Sequence, residues 1–337
     1  MRRVVYYLSS VFLYLLVLIF PACSDDGSQT EFPLSARIFH SIAGKQAAFT
    51  ALTHGAVSWQ WDFGDGNTSN EKDPVHLYGE GGYYKATLTA KDHAGNSVTA
   101  QVSLAVALTP YALLTGDHTA EGYDGKTWRL TQSHTSKDKL VNSDPNFSLL
   151  SPKITSLPKG AFDVYVGIKE AYNDEFTFYH DGRYRQNTSD GTSFGGIVYA
   201  TVLKQAGLAQ ITKTGGKAAL GQDLFALTTC TPGENATFVF NGNEDFTIPT
   251  VPKFATGTQP SGIPVVTYPG VMTLDFPNSD AFIGIRDFHR KVIVQEITDN
   301  SMRLVMFMTL DPKAIFSQKP LIALSTSAAI LTFEAVK

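Results

Sequence analysis

The sequence predicts an all-β protein built as two sandwiches of unequal size, and three observations carry that prediction. Apolar and polar residues alternate in short runs such as Ser58-Trp59-Gln60-Trp61-Asp62-Phe63 and Tyr84-Lys85-Ala86-Thr87-Leu88-Thr89-Ala90, the period of a half-buried strand. Turn residues separate the runs. Gly64-Asp65-Gly66-Asn67, Asp92-His93-Ala94-Gly95-Asn96 and His180-Asp181-Gly182 suit tight reversals, because Gly, Asn and Asp tolerate positive φ. Finally, 337 residues make about two domains at ~100–200 residues each.

Composition narrows the function classes. The chain is 43% apolar, 12% aromatic and 17% charged, which excludes a wholly disordered protein. Its 27 Lys and Arg against 31 Asp and Glu give a net charge of −4, the wrong sign for a nucleic-acid-binding surface. Two cysteines are too few for a disulfide scaffold or a structural zinc site. No cofactor motif is present, and no resident metal or cofactor is expected.

The first element is an address. Arg2 and Arg3 precede the 17 uncharged residues 4–20, and Pro21-Ala22-Cys23 follows. Positive charge, apolar core and small residue form the layout of a secretory signal; a membrane span needs about 20 apolar residues. The Ala22-Cys23 junction resembles a bacterial lipoprotein signal, whose cysteine becomes lipid-modified. That resemblance implies a signal over residues 1–22, lipidation at Cys23 and membrane contact through the lipid anchor alone. Residues 23–30 are small and polar and read as a flexible tether. Asp25-Asp26 resembles the export signal of surface-exposed lipoproteins in glycan-degrading Gram-negative bacteria, which implies the outer membrane and its extracellular side. Cys230 is then left without a disulfide partner.

Residues 31–108 read as a small sandwich. Trp61-Asp62-Phe63-Gly64-Asp65-Gly66, then Pro74, His76, Tyr78, Gly82-Tyr83-Tyr84, Leu88-Thr89, Asp92 and Gly95 resemble a PKD domain, an immunoglobulin-like fold that mostly serves as a spacer or contact module. Trp59, Trp61 and Phe63 share one strand face, and so small a core is expected to consume all three. Asp62 and Asp65 flank glycine turns, where short carboxylates accept backbone N–H bonds; that role is expected rather than acid–base catalysis. His76 is expected to make a polar core or turn contact.

Residues 109–337 follow as a larger jelly-roll-like or concanavalin-like β-sandwich. Strands are expected at 126–130, 162–168, 175–179 with its partner 183–185, 237–240, 265–276, 282–285, 291–298, 302–310 and 328–336. Residues 196–209 suit a short helix. Residues 131–158 and 241–264 read as long loops, which often carry binding on a rigid scaffold. Lys126-Thr127-Trp128-Arg129-Leu130, Asn173-Asp174-Glu175-Phe176-Thr177-Phe178, Asp181-Gly182-Arg183-Tyr184 and Val292-Ile293-Val294-Gln295-Glu296-Ile297-Thr298 resemble the C-terminal sandwich of PKD-containing surface glycan-binding lipoproteins. The resemblance implies polysaccharide as ligand and, as partner, an outer-membrane glycan transporter complex of the starch-utilisation-system type.

Motifs for chemistry are sparse. Gly191-Thr192-Ser193-Phe194-Gly195 has nucleophile-elbow spacing, but polar residues precede it where a buried strand is required, so a flexible loop is expected. The convergent Glu-x-Asp-x-x-Glu strand of laminarinase-like glycosidases is absent. Asp174 and Glu175 would point to opposite faces of a strand, unlike the paired carboxyls of glycoside hydrolysis. Asn173, Asp174 and Glu175 supply too few oxygens for calcium, and a solvated turn is expected. Sugars need flat aromatic faces with polar groups beside them. The candidates are Tyr123, Trp128, Asp163, Tyr165 and Tyr172. Trp128 shares a strand face with Leu130 and Lys126, which suits core burial equally, whereas Tyr165 is expected to point outward beside Asp163. The leading reading is a non-catalytic polysaccharide-binding surface lipoprotein. A structural or adhesive lipoprotein and a degenerate glycoside hydrolase are the alternatives.

Overall fold

The computed structural model describes residues 33–217, 221–251, 263–277, 280–316 and 322–337. The signal, Cys23 and the tether lie outside them. The chain is mostly β, 48% strand and 9% helix.

The first sandwich holds β1 (Ser35–Ala43), β2 (Gln46–His54), β3 (Ser58–Asp62), β4 (Thr68–Ser69), β5 (Val75–Leu77), β6 (Gly82–Lys91) and β7 (Ser97–Val106). One sheet runs β1-β2-β5 and the other β4-β3-β6-β7. Strand alternation turns Phe49, Trp61, Ala86, Leu88 and Leu104 into one shared core. Phe49 and Trp61 meet there at 5.1 Å between ring centroids. The aspartates hold turns as expected: Asp62 accepts from Gly64 N at 2.9 Å and Asp65 from Asn67 N at 3.0 Å. Asp65 also bonds His76 Nε2 at 2.7 Å, and His76 stacks on Phe63 at 4.2 Å. Gly64 is at φ +81°, and a Cβ there would sit 2.7 Å from the Lys85 carbonyl oxygen, so only glycine fits this turn.

A short helix, α1 (Pro110–Thr115), joins the two parts. Thr109 caps it by accepting from Ala112 N at 3.2 Å, and Pro110 occupies the first turn, a pairing that starts helices well. Leu114 of α1 lies in the second core.

The second part holds β8 (Lys126–Leu130), β9 (Lys139–Val141), α2 (Ala161–Val164), β10 (Glu175–Phe178), β11 (Tyr184–Asn187), β12 (Thr192–Gly196), α3 (Ile197–Gln205), β13 (Ile211–Lys217) and β14 (Asp223–Thr229). Then come β15 (Val239–Pro249), β16 (Val265–Asp275), β17 (Val292–Ile297), β18 (Ser301–Met308), β19 (Ile315–Phe316), β20 (Ile322–Ala323) and β21 (Ser327–Ala335). A nine-stranded sheet runs β11-β10-β8-β21-β18-β17-β16-β15 with β9 also on β21, and a three-stranded sheet runs β12-β14-β13. The small sheet packs Phe194, Phe225 and Leu227 into the core that takes Trp128, Phe176, Leu304 and Phe333 from the large one. The large sheet is apolar on both faces. Along β18, Met302, Leu304 and Met306 enter that core, while Val305 and Phe307 enter a second one with Phe246, Tyr268 and Ile330.

Four expectations change. Residues 162–168 form α2 and a turn rather than a strand: Gly160 at φ 66° opens the helix and Gly167 at φ 75° closes the turn, so local glycine geometry overrides the alternating pattern. Residues 282–285 are irregular, not a strand, although Phe282, Ile283 and Ile285 are buried. Residues 131–158 contain β9, and Phe147 stacks on Tyr268 at 4.9 Å, so this segment covers the second core. Most of the described part of 241–264 belongs to β15, which pairs with β16. The remaining strand predictions hold in place, including the hairpin β10–β11 through Asp181-Gly182. Residues 197–205 form the expected short helix, α3.

Candidate binding surface

The five candidate sugar-contacting residues do not form one site. Trp128 is fully buried in β8, its indole N–H donating to the Leu114 carbonyl at 2.9 Å and Lys126 Nζ lying 4.9 Å above its ring. It is a core residue that ties α1 to the large sheet. Tyr123 is half-buried; its hydroxyl donates to the Thr115 carbonyl at 2.8 Å and accepts from His180 N at 2.9 Å, so no hydroxyl proton remains for a sugar. Tyr172 is buried.

Tyr172 belongs to a buried polar chain that positions the other two candidates. Its oxygen accepts from Phe162 N at 3.0 Å and bonds His134 Nε2 at 2.8 Å. His134 Nδ1 meets Asp138 at 2.9 Å. Asp138 also accepts from Thr332 N at 3.1 Å and from Thr135 Oγ1 at 2.7 Å. Burial alone would raise the Asp138 carboxyl, but the bonds from His134, Thr332 and Thr135 outweigh it and hold the pKa below the ordinary value. Burial pushes the Tyr172 phenol up to about 12. Because His134 and Asp138 side chains are fully shielded from solvent, this Tyr–His–Asp chain meets no substrate. It pins the N-terminus of α2 to β21.

At the exposed end of α2 stand Asp163, Val164 and Tyr165. Tyr165 is 69% exposed, caps the helix with its own N–H on the Ala161 carbonyl, and its hydroxyl has no partner among the described residues. Among the five candidates, Asp163 and Tyr165 face solvent; two positions apart on a helix, their side chains diverge rather than stand side by side as they would on one strand face, and their backbone is held from beneath.

Among the described residues, Ser193, Asp174 and Cys230 are buried and present no catalytic constellation to a substrate. Ser193 lies mid-strand in β12, buried, with Thr228 Oγ1 at 3.4 Å; the Gly-x-Ser-x-Gly stretch is therefore a strand, neither elbow nor loop. Asp174 is 3% exposed, not in a solvated turn. Burial first, and then the Asp190 charge, raise its pKa to about 8. One of its oxygens has no partner among the described residues, a burial for which the sequence pattern gives no warning. Burial likewise raises the Cys230 thiol, which disfavours the reactive thiolate. Among the described residues, no three His, Cys, Asp or Glu side chains gather as a metal site.

Comparison with known proteins identifies the first part. Residues 41–106 match the PKD domain family, so the chain carries a PKD domain. Collagenase ColA of Bacillus cereus is 27% identical over 146 residues, 42% of this chain and 14% of the collagenase. The pre-pro-metalloprotease PrtV of Vibrio cholerae is 47% identical over 57 residues, 17% of this chain and 6% of that protein. The chain thus spans a small fraction of either relative. Among solved structures, the PKD1 domain of the Vibrio cholerae metalloprotease PrtV is 32% identical over 23% of this chain and all of its own, with a TM-score of 0.22. A carbohydrate-binding module from the β-sandwich superfamily aligns over 91% of this chain and 92% of its own, at 13% identity and a TM-score of 0.24; at that distance the likeness carries no argument.

Proposed function

We propose that the protein is a non-catalytic surface lipoprotein that captures polysaccharide at the exposed end of α2 and supports its uptake through an outer-membrane transporter complex. The observation that carries this reading is Tyr165: a 69% exposed aromatic on a backbone fixed by the buried Tyr172–His134–Asp138 chain, with the exposed carboxylate of Asp163 on the same short helix. A flat ring stacks on the C–H face of a sugar, and a carboxylate on another side of the same helix can accept hydroxyls from a further unit of the polymer. Holding both on a rigid base lowers the ordering cost of binding.

In the full chain, Tyr165→Ala should lower affinity for the preferred polysaccharide about five- to a hundredfold, by analogy with stacked bases. Because the ring is exposed, stability should change by no more than about 0.5 kcal/mol. Affinity electrophoresis and thermal melting read the two effects, and unchanged affinity would remove the site. For the anchor, wild-type protein should fractionate with the outer membrane and Cys23→Ser should be released, since stable lipid anchoring needs more than one acyl chain. Intact mass showing an unmodified Cys23 would contradict it.

One observation favours the adhesive reading instead. The outer face of the β1-β2-β5 sheet exposes Phe39 (63%), Leu52 (55%), Val75 (58%) and Leu77 (70%), an apolar surface of the kind that marks protein contacts. Phe39→Ser with Leu77→Ser would abolish attachment under that reading and leave glycan affinity intact under the first.

A further inference from the structure

Trp59, Trp61 and Phe63 all pack on the first core as expected, but not equally. Trp61 and Phe63 are buried, whereas Trp59 is only half-buried and lines a shallow cleft of about 360 Å³ with Ser58, Gln60, Asn70, Thr89 and Lys91. The register explains the lining. Ser58 pairs with Lys91 and Gln60 with Thr89, so these four side chains form one polar row on the outer face of the β4-β3-β6-β7 sheet. Trp59, near the start of β3, points to the opposite face, where it packs partly buried against the first core and its N–H donates to Thr53 Oγ1 at 3.2 Å, and its exposed part borders the cleft.

The charged side chain in the lining is a cation, and a second cation lies nearby between Glu71 and Asp73 in sequence. Lys91 is the first, and Lys72 Nζ sits 5.5 Å from the Trp59 ring centroid. Among the described residues, the Lys72 ammonium meets the Trp59 ring, and no acidic side chain is part of the lining. Lys91 on the polar row and Lys72 over the indole, with the Gln60 and Asn70 amides and the Ser58 and Thr89 hydroxyls in the lining, match a chain that offers hydroxyls and repeated negative charge. A neutral glycan would leave both ammoniums unmatched.

We propose that this cleft of the PKD domain is a second glycan-binding site, selective for acidic polysaccharide bearing carboxylate or sulfate groups. The proposal rests on the polysaccharide-capture reading and adds a contact remote in sequence from Tyr165. Two sites on one polymer raise retention by effective concentration, without either being tight.

The test uses the full chain, run through gels containing dextran, dextran sulfate or polygalacturonate. Retardation is expected in an anionic gel, with dextran sulfate and polygalacturonate separating sulfate from carboxylate selectivity, and not in neutral dextran. It should weaken as salt rises. Lys91→Glu, an exposed change that leaves the core alone, should weaken it several-fold. Trp59→Ala should weaken it about five- to a hundredfold, and circular dichroism checks that this variant folds. Retardation that falls in these variants but survives in Tyr165→Ala would support the cleft and count against the α2 site for that polymer. Retardation lost in Tyr165→Ala and unchanged in Lys91→Glu and Trp59→Ala would overturn the cleft while leaving the α2 site standing. Absence of retardation by both anionic polymers, or equal displacement by poly-glutamate, would also overturn it.

Discussion

Trp128→Ala should destabilise the second sandwich by about 3–5 kcal/mol, the usual cost of truncating a large buried aromatic. The indole is fully buried, in a core shared with Phe176, Leu304 and Phe333. Its loss leaves a cavity that the large sheet cannot close, because interiors are packed to crystal density. It also strips the Leu114 carbonyl of its donor, an added cost for a buried acceptor. The effect should reach beyond β8, since that bond fastens α1, and with it the junction between the two parts. Chemical denaturation followed by fluorescence and far-UV circular dichroism measures it. A variant with wild-type stability but lost glycan affinity would show Trp128 to be an exposed platform, contrary to the packing.

Stability should fall as pH rises from about 5 to about 8, on the order of 4 kcal/mol at about 1.4 kcal/mol per pKa unit. Burial raises the pKa of Asp174 to about 8 and that of Asp287 to about 7. Asp287 accepts from Phe288 N at 2.8 Å and Thr309 N at 3.1 Å through one oxygen, while the other has no partner among the described residues. Below pH 3.8, the ordinary aspartate value, both states hold these protons and no penalty arises. Above it the unfolded chain ionises first, so the folded state loses ground until the folded pKa values are passed. His289 acts in the opposite direction. Burial lowers it to about 4 from 6.5, so between those values the unfolded chain binds the extra proton and stability rises with pH. Two carboxyls outweigh one imidazole, and the net slope stays negative. Asp174→Asn should flatten the decline and stabilise the protein at pH 8. Thermal midpoints across pH 5–8 decide it, and a flat or rising profile would contradict the burial of both carboxyls.

Much of the fold is legible in the sequence because alternation and turn chemistry are local. β8, β16, β17, β18, β21 and the β10–β11 hairpin fall where period-two patterns and Asp-Gly place them. α2 escapes because Phe162, Val164, Val166 and Ile168 alternate as a strand would; two glycines with positive φ decide otherwise, and a lone glycine does not announce its φ. β15 was hidden by Asn241, Gly242 and Asn243, residues of turn type that here accompany a register shift between Asn241 and Glu244. Of the candidate residues, Asp163 and Tyr165 are exposed as expected, but the strand face expected to bring them together is replaced by α2. Trp128 and Tyr172 have the chemistry of sugar platforms, and burial, a property of the tertiary fold, is what removes them. The half-exposure of Trp59 was equally hidden, because a strand face shared with Trp61 and Phe63 does not show where the sheet ends.

The central claim is binding without turnover, and one measurement addresses it. Full-length protein is incubated with each member of a broad polysaccharide panel, and retention and new reducing ends are quantified on the same samples. The account predicts retention of at least one polysaccharide, weakened by Tyr165→Ala, with reducing ends at the level of the protein-free control. Reducing ends that accumulate with time and vanish in Asp174→Asn would contradict it and make the protein a glycoside hydrolase, and retention of none would return the case to the adhesive reading.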